Sequence, residues 1–162
     1  MPLYLDVCLK RSNLLSTLRS PWGRQFRVEA EVTINSLPPR GLWSSVFHFT
    51  QGGDRQVPGD RIPMLQLKHT GYFHFASTIS RNINKTFDYR IEVGKRYRIK
   101  IEQLHQRWGT MYSIWINGRK VFWTKNHSPQ DFRNVKVYTT DPWYDSLDGF
   151  GRLHFLKWTD NL

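Results

Sequence analysis

Between Gln25 and Ile34 the chain alternates without a slip: Phe26, Val28, Ala30, Val32 and Ile34 fall on one side, and Gln25, Arg27, Glu29, Glu31 and Thr33 on the other. A period of two is the signature of a strand with one face buried and one in water. The same period recurs in Leu3/Leu5/Val7/Leu9, Phe87/Tyr89/Ile91/Val93, Tyr97/Ile99/Ile101 and Leu153/Phe155, with turn residues between the runs and no amphipathic helical pattern. The chain therefore reads as an all-β, antiparallel sheet protein.

Breaks at Ser20–Arg24, Ser36–Gly41, Gln51–Arg61, His69–Gly71, Ser80–Lys85, Gly94, His105–Gly109, Asn117-Gly118, Lys125–Gln130 and Thr140–Gly151, with a short one near Arg11, delimit about twelve strands. Asn117-Gly118 between Trp115-Ile116 and Val121-Phe122 predicts a type I′ hairpin turn. At 162 residues the chain is long enough for one domain, residues 1–162, with two sheets closed over a common core. A jelly-roll sandwich is the expected architecture. If successive strands run antiparallel, Thr140–Gly151, the Asn117-Gly118 turn, Gly94 and Ser36–Gly41 share one rim. Gln51–Arg61, Ser80–Lys85, His105–Gly109 and Lys125–Gln130 share the other, where the termini also lie.

One cysteine excludes an internal disulfide and a thiolate metal cage. The alternation aims Cys8 away from the apolar set of its strand, where two such thiols can join two chains outside the cell. A free thiol without a role is the other reading. No apolar run reaches the roughly 18 residues of a membrane-spanning helix, and the N-terminus lacks the pattern of a signal peptide. The chain reads as a soluble, mature or signal-free product. The net charge of +11 raises nucleic acid, sulfated glycans and acidic membranes as partners. Arg96, Arg98 and Lys100 fall on one strand face, and Arg90 is expected alongside them from the preceding strand. Asp88, Glu92 and Glu102 are interspersed, however, which favours a solvated sheet face. No recognition helix, zinc-finger spacing or RNA-binding signature accompanies these cations, so no nucleic-acid partner is expected.

Asp141-Pro142-Trp143-Tyr144-Asp145-Ser146-Leu147-Asp148-Gly149 places three of the thirteen acids and two aromatic rings in one loop. Several Asp with backbone carbonyls suit calcium, which takes six to eight oxygens. A calcium ion with open positions would take vicinal sugar hydroxyls while Trp143 or Tyr144 stacks on the sugar. Asp141 and Pro142 also suit a plain turn, with Trp143 as its anchor in the core. The second candidate is Gln51-Gly52-Gly53-Asp54 with Pro58-Gly59-Asp60-Arg61, where Asp54 and Asp60 supply carboxylates. Its plainer reading is a connection in which Asp60 and Arg61 fix the entry to the next strand. Asn82, Asn84, His105, Gln106, Trp108, Asn126 and His127 add polar groups for a sugar site without metal. The six histidines show no ligand spacing. Asn84-Lys85-Thr86 is an N-glycosylation acceptor triplet, relevant only on a secretory route. No catalytic pattern is present: Glu29-Ala30-Glu31 lacks the remaining acids of a laminarinase-type strand, and a nucleophile elbow and a phosphate loop are absent.

Ser12-Asn13-Leu14-Leu15-Ser16-Thr17-Leu18, Phe47-His48-Phe49-Thr50 leading to Gly59-Asp60-Arg61-Ile62-Pro63, Ile116-Asn117-Gly118, and Asn134-Val135-Lys136-Val137-Tyr138 with Asp141-Pro142-Trp143-Tyr144 resemble cnidarian secreted modules with a concanavalin A-like or laminin G-like sandwich. The resemblance covers nearly the whole chain. Similar proteins include sea-anemone lectins that bind galactose with calcium as disulfide-linked dimers, in keeping with the outward Cys8. Laminin G-like modules carry calcium on the rim opposite their termini, which the strand count makes the rim of Asp141, Asp145 and Asp148. The resemblance thus implies a secreted, non-enzymatic, Ca2+-dependent lectin for galactose-containing glycans, multivalent through a Cys8-linked homodimer. The resemblance does not name the sugar residues; on the chemistry of the loop itself, Trp143, Tyr144, Asp145 and Asp148 would hold the sugar and Asp141, Asp145 and Asp148 the metal, with Asp54 and Asp60 as second choice. The alternative is a basic matrix or adhesion module binding sulfated polysaccharide, and no insertion into a membrane is expected.

Overall fold

The expected strand of strict alternation is present in the computed structural model, which describes residues 3–144, 148–160 and 162. Phe26–Ile34 forms β3, whose apolar members are all buried while the polar ones are half-buried. The other strands are β1 (Leu3–Cys8), β2 (Leu14–Thr17), β4 (Trp43–Thr50), β5 (Met64–Lys68), β6 (Tyr72–Ile79) and β7 (Asn82–Arg90). They continue with β8 (Arg96–Gln106), β9 (Gly109–Ile116), β10 (Arg119–Asn126), β11 (Lys136–Tyr138) and β12 (Gly151–Asp160). Among the described residues there is no α-helix. Asn117 and Gly118 both take positive φ, at 52° and 80°, as a type I′ turn requires.

Two six-stranded antiparallel sheets result, ordered β1-β12-β3-β8-β9-β10 and β2-β11-β4-β5-β6-β7. Their inner faces interdigitate over one core: Val28, Ala30, Val32, Ile99, Ile101 and Leu156 from the first meet Phe47, Phe49, Leu65, Phe73, Phe75 and Val137 from the second. This is the layering of a β-sandwich. Trp22 is wedged between the sheets with no exposed surface. Its ring lies 5.1 Å from Phe26 and 4.9 Å from Phe49, and its indole N–H donates to the Ile62 carbonyl at 2.6 Å.

Two expectations fail for identifiable reasons. Leu3 and Leu5 do not share a face with Val7 and Leu9; they are 54% and 65% exposed. Asp6 takes φ +49°, and the register of β12 on β3 shifts between Leu153 and Phe155, so one irregularity in each strand inverts the alternation. Tyr4 turns inward instead, stacking at 5.5 Å on Trp158 and donating its hydroxyl hydrogen to the Leu15 carbonyl. Beyond the irregularity the reading recovers, and Cys8 is exposed opposite Arg152. Arg90 likewise does not join Arg96, Arg98 and Lys100: it ends β7, at the edge of the other sheet, while β8 lies between β3 and β9.

Phe49→Ala should cost about 3–5 kcal/mol in chemical denaturation, the usual penalty for a cavity in a packed core. Leu5→Ser should change stability by no more than about 0.5 kcal/mol. A large loss in the second variant would restore Leu5 to the core.

Candidate functional site

The outer face of the second sheet is not open to solvent along β4 and β5. His48 alternates with Phe47 and Phe49 and so points away from the core, yet it has no exposed surface. Two loops cover it. Its Nε2 lies 2.5 Å from the backbone carbonyl of Asp60, which only accepts, so by this geometry Nε2 carries a hydrogen. Its Nδ1 lies 2.8 Å from Asp141 Oδ2, and the Trp143 ring meets its edge at 5.6 Å. Asp141 Oδ1 accepts the Trp143 amide at 3.1 Å, a turn closed by an aspartate side chain. Counting strands puts the 51–61 and 140–151 loops at opposite rims. In the structure Asp60 of the first and Asp141 and Trp143 of the second meet at this histidine.

The covering loops are tied together by ions. Arg61 donates through Nε to Asp54 Oδ1 at 2.7 Å, through Nη2 to Asp54 Oδ2 at 3.2 Å, and through Nη1 to Asn84 Oδ1 at 2.6 Å. Tyr144 reaches across, donating to Asp54 Oδ2 at 2.5 Å and accepting from Arg61 Nη2 at 3.1 Å. Burial pushes the Tyr144 phenol up to about 12, reinforced by its bond to the Asp54 carboxylate, so it stays protonated and keeps donating. Burial works against the Arg61 cation, but Asp54 outweighs it and holds the guanidinium above its ordinary value. Gly59, at φ +89°, turns the loop where a Cβ would strike the Gln51 side chain.

A second network stands opposite. Asp88 accepts from Lys68 Nζ at 2.5 Å and contacts His74 Nδ1 at 2.6 Å, while Trp43 sets its ring edge to face with His74 at 4.9 Å. Burial lowers the His74 pKa despite Asp88, favouring the neutral ring. Burial opposes the Asp88 carboxylate, but hydrogen bonds from Lys68 and His74 hold it below the usual range. Between the networks lies a groove of about 330 Å3 lined by Trp43, Gln56, Arg61, Gln66, His74, Asn84 and Tyr144. That is the lower end of the range for ligand sites. Gln66 is 2% exposed, and its Nε2 makes no hydrogen bond of full geometry among the described residues, its side chain only approaching the Tyr144 hydroxyl. A buried amide donor without a partner costs about 1–3 kcal/mol, a deficit that a ligand acceptor in the groove would remove.

The sequence candidates divide accordingly. Tyr144, Asp54 and Asp60 come together, with Tyr144 on the groove and Asp54 behind it. Trp143 is 40% exposed beside them, packed on His48 and Tyr138. Asp141 is fully buried under the loop. Asp148 lies apart, with Oδ1 accepting the Arg11 amide at 3.1 Å, and Asp145 lies outside the described residues. The described carboxylates do not fit calcium. Both oxygens of Asp141 and of Asp54 accept hydrogen bonds, Asp60 Oδ2 accepts the Arg55 amide at 2.7 Å, and no three acidic, His or Cys side chains among the described residues are placed to share an ion. Asn84 belongs to β7 rather than to a loop, because the turn before it is only Ser80 and Arg81, both at positive φ. Trp43, Gln66 and His74 escaped the sequence reading. Their signal is only that of outward strand positions, which are polar on any half-wet sheet.

No protein-family profile matches the chain, and no curated protein matches it either. Solved structures similar to it include the receptor-binding domain of botulinum neurotoxin type G, with TM-score 0.59 and 11% identity over 85% of this chain and 34% of that one. Trypanosoma rangeli sialidase superposes with TM-score 0.57 and 16% identity over 83% of this chain and 20% of its own. A botulinum neurotoxin type C structure, whose cell entry depends on interaction with two ganglioside molecules, gives TM-score 0.56 and 10% identity over 83% and 32%. The chain spans about a third or less of each of these proteins. At such identities the likeness shows the β-sandwich fold.

Asp141→Ala should cost about 3 kcal/mol or more in urea unfolding, since it leaves the buried His48 without its carboxylate. Asp148→Ala should cost less than about 1 kcal/mol. Equal costs would remove the buried pair as the anchor of the loops.

Proposed function

We propose that the chain is a non-enzymatic carbohydrate-binding module whose sugar site is the groove over β4, β5 and β6. The observation that carries this reading is the buried Gln66 amide, without a hydrogen bond of full geometry, at the floor of a groove with an aromatic ring at its edge. Sugars offer what such a site lacks, acceptor hydroxyls beside a flat C–H face. Galactose-type sugars are favoured because the axial 4-hydroxyl leaves one continuous apolar face to lie on Trp43, displacing the Lys68 ammonium that sits 5.1 Å from the centre of that ring, with Gln66, Asn84 and His74 for the hydroxyls. The ganglioside dependence of the neurotoxin type C neighbour is in keeping with a sugar ligand on this fold. A non-enzymatic role is in keeping with the engagement of the buried acids: Asp54 pairs with Arg61 and Asp141 with His48.

This reading departs from calcium dependence, because the described carboxylates are already engaged. In isothermal titration with lactose, Trp43→Ala should weaken binding at least about tenfold, and a chelator should leave the wild-type affinity unchanged. Unaltered binding by Trp43→Ala, or its abolition by chelator, would move the site away from this groove.

Dimerisation through Cys8 on the exposed strand β1, outside the cell where thiols oxidise, would give two sites and avidity for a glycan-coated surface. An oxidised preparation should then run at twice the monomer mass without reductant and at monomer mass with it. A single monomer band in both lanes would exclude the covalent dimer.

A further inference from the structure

The outer face of the first sheet carries a different chemistry. One cross-strand row runs from Leu3 through Lys157, Glu29, Lys100 and Trp115 to Lys120, one residue from each of the six strands. The three lysines stand on every second strand, about 10 Å apart at the usual strand spacing. Lys100 Nζ lies 4.4 Å and Lys120 Nζ 5.2 Å from the centre of the Trp115 ring, and Arg98 lies over Phe155 at 5.8 Å. Glu29 pairs with Lys157 at 3.1 Å and Glu102 with Lys100 at 3.8 Å, but among the described residues Arg98 and Lys120 have no carboxylate partner. A depression of about 310 Å3 lies between these groups, lined by Glu29, Arg98, Ile99, Lys100, Trp115 and Gly118. The Trp115 indole N–H beside it also has no acceptor.

We propose that this face is a second binding site, distinct from the groove, for a linear sulfated polysaccharide laid across the strands. Cations at regular intervals along a row match a polymer whose sulfates recur at every disaccharide, and Arg98 and the Trp115 N–H give further donors to anionic oxygens. The arrangement favours this occupant over two others. Single-stranded nucleic acid needs open rings for base stacking, whereas here ammonium and guanidinium groups sit on the aromatic rings. An acidic membrane would have to dehydrate Glu29, Glu31 and Glu102, which share the face.

The test is binding of a size-defined heparin oligosaccharide by titration calorimetry over a range of salt. The triple variant Arg98→Gln/Lys100→Gln/Lys120→Gln should bind at least about tenfold more weakly, with a flatter salt dependence and unchanged lactose binding at the groove. A control triple, Arg81→Gln/Lys85→Gln/Arg133→Gln, removes the same charge elsewhere and should keep most of the affinity. In the wild-type protein, bound heparin should protect Lys100 and Lys120 from acetylation. Equal loss in both triples, equal binding of desulfated heparin, unprotected lysines, or tighter binding to polyuridylate or to phosphatidylserine vesicles would each overturn the proposal.

Discussion

The contact on which the candidate groove depends is the buried one between His48 and its two acceptors. An outward side chain on a central strand normally meets water; here Asp141 and the Asp60 carbonyl take both ring nitrogens, and two loops from opposite ends of the sheet are held against its face. Once these loops are down, Asp54, Arg61 and Tyr144 fall within hydrogen-bonding reach of one another. They build a polar wall above a sheet surface that would otherwise be flat. A groove on a sandwich face needs such a wall, since the sheet alone supplies only a floor. A polar network that is fully bonded in a dry setting also holds its members still, which is what a weak, many-hydrogen-bond ligand requires of its site.

Much of the fold was legible in the sequence because each local signal had one physical meaning. The run Phe26–Ile34 could bury its apolar members only as a strand, and Asn117-Gly118 could be accommodated only in a turn with positive dihedrals. Where the reading failed, a single residue carried the information. Asp6 at positive φ reverses the inside and outside of β1, and nothing in Leu3-Tyr4-Leu5-Asp6-Val7 announces it, since aspartate also sits comfortably on an outer strand face. The candidate site was legible in part. The 141–149 and 51–61 segments were singled out for their chemistry, but their meeting was not visible, because it depends on β11 lying between β2 and β4, a long-range pairing that no local pattern encodes. Of the acids that looked like metal ligands, the described ones, Asp54, Asp60, Asp141 and Asp148, were then found engaged with histidine, arginine, tyrosine and backbone amides.

The two outer faces divide the polar chemistry of the chain. Around the groove on the second sheet the charges are matched in close pairs, Arg61 with Asp54 and Lys68 with Asp88, and the least satisfied group is a neutral amide. On the first sheet Arg98 and Lys120, which have no carboxylate partner among the described residues, are cations held over aromatic rings. A neutral, partly apolar ligand and a polyanion are thus drawn to opposite sides of one core, and screening by salt acts mainly on the second.

Asn84 gives the groove a further property. Its side-chain oxygen accepts from Arg61, while its amide nitrogen is the atom to which an oligosaccharide is transferred in an Asn-Lys-Thr triplet. A chain matured through the endoplasmic reticulum and modified there would carry its own sugar at the mouth of the cleft, competing with any soluble one. The same polypeptide made in a bacterium would present that mouth bare. The host used for expression thus selects between a self-capped form and an open one.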